Sequence, residues 1–315
     1  MKQIGGLNAI GAPLSPNRIG GKNIYYTKWS GLGIGIYSTT EISTFNGYAD
    51  ALLANGFTEL RIPSDWESWE TDTATKAAVI SAVAKGAHVI WYVQSGGTTL
   101  TAANWSDFSD AVLAAAQWAQ DNGVYEFPLG NEEEAHVDGT TLTAATLITN
   151  MKTLATAVQA IFTRGNVSYA CYGDFIPNWV TAGKGDIDIL SSNIYMEWGE
   201  HTPIDWKGRI DALVGAFGVD GTYLTEFGLN TNGLPSYSTD EAVQATAITG
   251  MINYIRASGM TRALYFCYRD PFWWEESLFE VLKDDGTYRK LWVSLLGSQL
   301  AVGQNKLINK WKANN

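Results

Sequence analysis

Cysteine and histidine are scarce in this chain, with two of the first and three of the second among 315 residues. The three His are far apart, so a Cys/His zinc site is not expected. Cys171 and Cys267 each lie inside an apolar run and read as buried thiols; their redox state stays open. A basic excess is also missing: 21 Lys and Arg stand against 32 Asp and Glu, a net charge of −11, with no basic block. Nucleic acid is therefore not an expected partner, because such binding relies on cations that neutralise phosphates. No apolar run reaches the roughly 18 residues that crossing a bilayer requires, so no membrane span is expected. The first residues, Met1 to Gly6, lack the apolar stretch of a secretory signal. Localisation stays open, since a removed leader would make the protein secreted. Neither a G-x-G-x-x-G turn nor a P-loop occurs, which argues against a nucleotide-binding fold.

Aromatic residues are plentiful, with 13 Trp and 15 Tyr, and the apolar content suffices for a large core. Residues 1–28 are rich in Gly, Asn and Pro and read as an irregular lead-in, with room for a small hairpin. A strand–helix rhythm then begins. Leu32 to Tyr37 reads as strand, 41–55 as helix, and Phe57 to Pro63 as a strand stopped by its proline. Helix 71–85 leads to strand Ala87 to Gln94, and helix 106–120 to strand Tyr125 to Glu132. Helix 141–163 leads to strand Val167 to Tyr172. A poorly defined segment near 178–184 precedes strand Ile187 to Tyr195. Helix 206–217 precedes strand Thr222 to Glu226. Ser238, with Glu241 three residues on, has the chemistry of a capping box. It opens a helix whose Val243, Ala247, Ile248, Met251, Ile252 and Ile255 share one face. Arg262 to Tyr268 reads as the last strand and Leu291 to Leu300 as the last helix.

Eight such units in one chain indicate an α/β fold, a single-domain (β/α)8 TIM barrel over residues 29–315 after the 1–28 lead-in. An open doubly wound sheet is the alternative. It usually carries a glycine-rich turn after its first strand, whereas Gly31, Gly33 and Gly35 alternate within a strand. In a barrel, the C-terminal strand ends face the mouth. That rim reads Arg61, Gln94, Asn131 with Glu132, Asn193 with Tyr195, Glu226, and Arg269 with Asp270. Burying such a set costs several kcal/mol, which a working site justifies. The plainer reading is that Arg61 only neutralises a glutamate. Glu132 and Glu226 end the fourth and seventh strands, on opposite sides of the ring. Inward-pointing carboxyls from there can come within about 5 Å, the spacing at which one attacks a sugar directly and the other protonates the leaving oxygen. Trp66, Trp198, Trp273 and Trp274, like Trp69, Trp179 and Trp206, fall just past strand ends. Each is either a platform for a pyranose ring or ordinary packing.

Four motifs in order carry a resemblance. Leu60-Arg61-Ile62-Pro63, Asn131-Glu132, Asn193-Ile194-Tyr195 and Thr225-Glu226-Phe227-Gly228 together resemble clan A glycoside hydrolases over roughly residues 30–300. The segment Asp284-Asp285-Gly286 followed by Arg289-Lys290 is similar to that clan's post-barrel "aspartate-glycine, then basic" pattern. The resemblance implies Glu132 as acid/base, Glu226 as nucleophile, and Arg61 and Tyr195 in contact with Glu226. The rim reading assigns substrate contacts to Gln94, Asn131 and Asn193; Gln94 and Asn193 depart from the clan's pattern, in which His is common near those positions. Glu133 stands where the clan usually has proline, and the run Glu132-Glu133-Glu134 offers three candidates for the acid. Glu132 is favoured because it follows Asn131.

The expected function is a retaining glycoside hydrolase, a monomer acting on a β-linked oligo- or polysaccharide. Endo action on a β-glucan or β-mannan is expected, without metal or cofactor. The alternatives are a carbohydrate-binding barrel without activity, and a barrel lyase or isomerase. The last would need a phosphate cradle after the seventh or eighth strand, and Asn230 to Gly233 makes a poor one.

Overall fold

The computed structural model describes residues 18–19, 22–23, 31–36, 42–198, 202–229, 241–269, 280–283, 286 and 288–298. Eight parallel strands close into a barrel in chain order. They are β1 (Gly31–Gly35), β2 (Glu59–Asp65), β3 (His88–Gln94), β4 (Glu126–Asn131), β5 (Asn166–Tyr172), β6 (Ile189–Tyr195), β7 (Leu224–Gly228) and β8 (Arg262–Tyr265). The intervening helices are α1 (Ile42–Ala54), α2 (Thr73–Ala84), α3 (Trp105–Asp121), α4 (Ala144–Ile161), α5 (Ile176–Ala182), α6 (Trp206–Phe217) and α7 (Glu241–Ala257). Residues 291–298 form a further helix after β8. In the lead-in, Arg18–Ile19 and Lys22–Asn23 pair as a small antiparallel ribbon.

The helices form where the sequence places caps and apolar stripes. Asp72 accepts the Thr75 N–H at 2.9 Å and opens α2. Thr143 and Asp205 do the same for α4 and α6. In α4 the buried residues Leu147, Ile148, Met151, Leu154, Ala155 and Val158 recur at helical spacing and face the sheet. The segment near 178–184 that reads as poorly defined is α5, with a proline in its first turn.

Two apolar layers result. The larger lies between strands and helices; a separate small cluster of Ile90, Ile189, Tyr223 and Leu264 fills the barrel interior. β1 contributes little bulk to that interior. A Cβ on Gly33 would sit 2.8 Å from the Leu264 side chain and 2.9 Å from that of Glu59, so the glycine is what lets them meet. Below this cluster, at the N-terminal mouth, Arg262 pairs with Glu126 and lies 3.6 Å from Glu59.

Pro63 does not stop its strand: β2 runs on to Asp65, with Pro63 opposite Tyr92. The Arg61 carbonyl accepts the Ile36 N–H on the β1 side. Pro63, two residues on, turns its nitrogen the same way, beyond the last β1–β2 pair at Gly35–Arg61. No ladder bond is lost there.

Candidate active site

Two strands carry an extra residue just before a glutamate. Along β4 and β5, Pro128 is opposite Ser168 but Asn131 is opposite Ala170. Three steps on β4 match two on β5, a bulge. Phe127 and Leu129 face the helices; strict alternation would send Asn131 outward with them. The bulge turns it into the barrel, where its side-chain oxygen accepts Arg61 Nη2 at 2.7 Å and Asn193 Nδ2 at 3.0 Å. β7 does likewise. Leu224 pairs with Ser192 and Glu226 with Asn193. Leu224 and Phe227 both pack toward the helices, and the two residues between them both point inward. Thr225 donates to Asn193 Oδ1 at 2.8 Å, and Glu226 accepts from Arg61.

Glu226 is 6% exposed, and both its oxygens are occupied by donors. Arg61 Nη1 lies 2.5 Å from Oε1, and the Tyr195 hydroxyl donates to Oε2. Arg61 is fully buried, with its guanidinium 4.2 Å from the centre of the Tyr92 ring. The network thus joins β2, β3, β4, β6 and β7 at one end of the barrel.

Glu132 directly follows β4, on a left-handed turn with φ 60° and ψ 28°, the only non-glycine with positive φ among the described residues. Its N–H donates to the Ala170 carbonyl at 2.8 Å. Burial, first, and the nearby Glu226 carboxylate, second, push its pKa well above the usual range, against a hydrogen bond from Asn193. Tyr172, at the end of β5, feels the Glu132 charge, and its ring stands 6.3 Å from that of Phe175; both are half-exposed.

The other two members of the acidic run have different surroundings. Glu133 is fully buried and folds back to accept the Asn131 N–H at 3.0 Å and the Ser95 N–H at 3.2 and 3.3 Å. Burial raises its pKa to about 7. Glu134 accepts the Tyr169 hydroxyl at 2.8 Å and the Trp179 indole N–H, away from the barrel interior. The sequence reading did not single out Tyr92, Ser95 or Tyr169, and it named Thr225 only as part of the Glu226 motif. Their period-two positions on the strands were the only available signal.

The remaining expected site residues are less tightly joined to this network. Gln94 ends β3 at the same rim, opposite Asp65, and its carbonyl accepts the Trp66 N–H at 2.9 Å. The Trp66 ring packs edge-on against Phe108 of α3. Trp198 lies in a two-residue strand paired with Thr202 and Pro203; its side chain is outside the described residues. So are Trp273, Trp274 and Asp270. Arg269 turns away to the Lys283 carbonyl at 2.9 Å. Trp179 is fully buried and Trp69 is 5% exposed, so neither offers a face to a sugar. Trp206 packs edge-on against Tyr254 of α7. Among the described residues, no group of three or more His, Cys, Asp or Glu can hold a metal ion. No helix among them is long and apolar enough to cross a membrane.

No protein-family model and no curated sequence matches the chain. Its fold is similar to those of several solved glycoside hydrolases. An exo-β-1,4-mannosidase from Opitutaceae bacterium strain TAV5 superposes with a TM-score of 0.70 at 13% identity, over 94% of this chain and 63% of that one. An endocellulase from the archaeon Pyrococcus horikoshii gives 0.61 at 12% identity, over 89% and 93%. A β-glucuronidase from Parabacteroides merdae gives 0.64 at 12% identity, over 88% of this chain and 38% of that one. The chain therefore spans under two thirds of the mannosidase and the glucuronidase. At this level of identity the likeness is one of fold, the closed eight-stranded parallel barrel.

Proposed function

We propose that the protein is a retaining glycoside hydrolase that cleaves β-linked glycans by double displacement. Glu226 is the nucleophile and Glu132 the acid/base. The observation that carries this reading is the contrast between the surroundings of two neighbouring carboxyls. Glu226 receives a guanidinium on one oxygen and a phenol on the other, the surroundings of an anion. Burial, first, and the Glu226 carboxylate, second, raise the Glu132 pKa well above the usual range, which favours its protonated form. Environments that differ in this way are what divide an acid from a nucleophile.

In the first step Glu226 attacks the anomeric carbon and forms a glycosyl-enzyme ester, while Glu132 gives its proton to the departing oxygen. With the glycosyl ester formed, Glu226 no longer bears the charge that raised Glu132. Glu132 then takes a proton from water, which attacks the same carbon and releases Glu226. The two displacements return the original anomeric configuration. The scheme corresponds to carboxyls about 5 Å apart. Nucleophile, acid and base all come from two side chains, so no metal or cofactor enters it. Arg61 and Tyr195 hold the nucleophile, and Asn131, Asn193 and Gln94 are assigned to the substrate's hydroxyls.

The substrate we assign is a β-glucan or β-mannan, cut internally by a monomeric barrel of residues 29–315. Support for the sugar class comes from the fold's neighbours, an exo-β-1,4-mannosidase and an endocellulase among them, and support for internal cutting from the endocellulase. Trp66, Trp198, Trp273 and Trp274 remain the candidate sugar platforms. Incubation with a panel of β-glucans and β-mannans, with the first-formed anomer followed by proton NMR, tests the reading. Release of β-anomers from one of them supports it. First-formed α-anomers, or binding without cleavage, overturn it.

A further inference from the structure

We infer that Glu133 is a positioning residue for the acid/base: its buried carboxylate closes the β3–β4 seam and holds the backbone turn that aims Glu132. The inference rests on the proposed function, which gives Glu132 its role.

The seam needs closing. Among the described residues, β3 and β4 pair in register at Ile90–Glu126 alone, near their N-terminal ends. Toward the mouth the Ser95 N–H, just past β3, and the Asn131 N–H, at the end of β4, both point at the Glu133 carboxylate. One side chain therefore supplies the acceptor that strand pairing does not provide. A buried N–H left without an acceptor forfeits its water and gains nothing in return, so the missing acceptor destabilises the fold.

The same contact arches over Glu132. The side chain of residue 133 grips the main chain of residue 131, and the residue between them takes the left-handed conformation. That conformation is unfavourable for a residue with a Cβ and persists only where its surroundings enforce it. Here the enforcement is complete on both sides. The Glu133 N–H donates to the Tyr169 hydroxyl at 3.1 Å, and the Ala135 N–H donates to the Glu132 carbonyl at 2.8 Å. Gly130 leaves the space in which the carboxylate lies: a Cβ there would be 2.7 Å from Glu133 Oε1 and 2.8 Å from its Cγ. Asn131, fixed by this contact at its N–H, presents its side chain to Arg61 and Asn193. Glu133 thus reaches the reaction only through its neighbours.

Two variants test the inference. Glu133→Gln keeps the volume and one oxygen but turns an NH2 toward one of the two N–H groups. Glu133→Ala removes both acceptors and is the more exposed to misfolding. The probes are the phenyl and 2,4-dinitrophenyl β-glucosides and β-mannosides. A displacement of the acid/base by about 1 Å is expected to lower kcat on the phenyl glycosides by about 10- to 100-fold in Glu133→Gln, with KM little changed. The dinitrophenyl glycosides, whose leaving group needs no proton, should lose less, and added azide should raise turnover. A merely structural role would lower the folded fraction and leave the leaving-group dependence as in the parent. Folded Glu133→Gln with parental kinetics on both probes and no response to azide overturns the inference. If the parent cleaves neither probe, that result bears on the proposed function, and a crystal structure of Glu133→Gln decides the inference instead. A Glu132 φ that leaves the positive region, or a shifted Asn131, supports it; an unmoved turn overturns it.

Discussion

At the scale of single residues, the proposed function divides the work between Glu132 as acid/base and Glu226 as nucleophile. Glu226→Ala should abolish hydrolysis, because no group remains to form the glycosyl ester. Azide added to that variant should attack from the vacated side and yield an α-glycosyl azide. Glu132→Ala should still be glycosylated by an activated aryl glycoside but stall afterwards for want of a base. Azide needs no base, so it should restore turnover and yield a β-glycosyl azide; NMR of the products distinguishes the two. Failure of azide to rescue either variant would mean that the acidic run has been assigned wrongly. A second residue-scale prediction concerns pH and stability. Burial raises the Glu133 pKa from 4.5 to about 7 in the folded protein. The folded chain thus holds this proton more tightly than the unfolded one. The stability it contributes is full below pH 4.5 and is lost as pH rises through about 7. Urea midpoints measured at pH 5 and at pH 8 should fall in that order, and Glu133→Gln should narrow the difference. An unchanged difference would mean that Glu133 is not the group responsible.

At the scale of elements, the site is made by irregularity. One extra residue in β4 and one in β7 turn Asn131 and Glu226 inward at positions where alternation alone would misplace them. Much of the regular scaffold was legible in the sequence, because alternation within strands and the repeating strand–helix rhythm are local signals. The bulges were not, since counting by twos assumes the very regularity they break. Pro63 was misread for a related reason: whether a proline ends a strand depends on which neighbour its missing N–H would face. The fates of Glu133 and Glu134 were also out of reach, because Ser95, Tyr169 and Trp179 lie 35 to 45 residues away in sequence. Gly130→Ala tests the turn as a unit. The added Cβ would collide with the Glu133 side chain, an overpacking that typically costs about 1–3 kcal/mol. A lower urea midpoint together with a lower kcat is expected. Loss of stability with kcat unchanged would separate the turn from the chemistry.

At the scale of the whole molecule, the barrel segregates its charges. The C-terminal mouth carries the carboxylate network, and the N-terminal mouth carries a second buried group. There, Arg262 pairs with Glu126 and lies 3.8 Å from the centre of the Tyr223 ring. The Tyr223 hydroxyl donates to Glu126 at 2.6 Å, and Glu59 stands 3.6 Å from the guanidinium. These residues tie the starts of β2, β4 and β8 to the segment before β7, at the opposite end of the barrel from Glu132 and Glu226. Arg262→Met strands two buried carboxylates, a change expected to cost about 3–5 kcal/mol. Urea unfolding should register that loss, while kcat per folded molecule stays at the parental value. A comparable loss of kcat would mean that the two mouths are coupled.

The most direct test of the central claim is to trap the covalent intermediate. The protein is incubated with 2,4-dinitrophenyl 2-deoxy-2-fluoro β-glucoside or β-mannoside, digested with pepsin, and sequenced by mass spectrometry. If Glu226 is the nucleophile, a gain of one fluoroglycosyl group carried by Glu226 is expected, with no labelling of Glu226→Ala. A label on Glu132, Glu133 or Glu134 would contradict it, as would first-formed products of inverted configuration with no label at all.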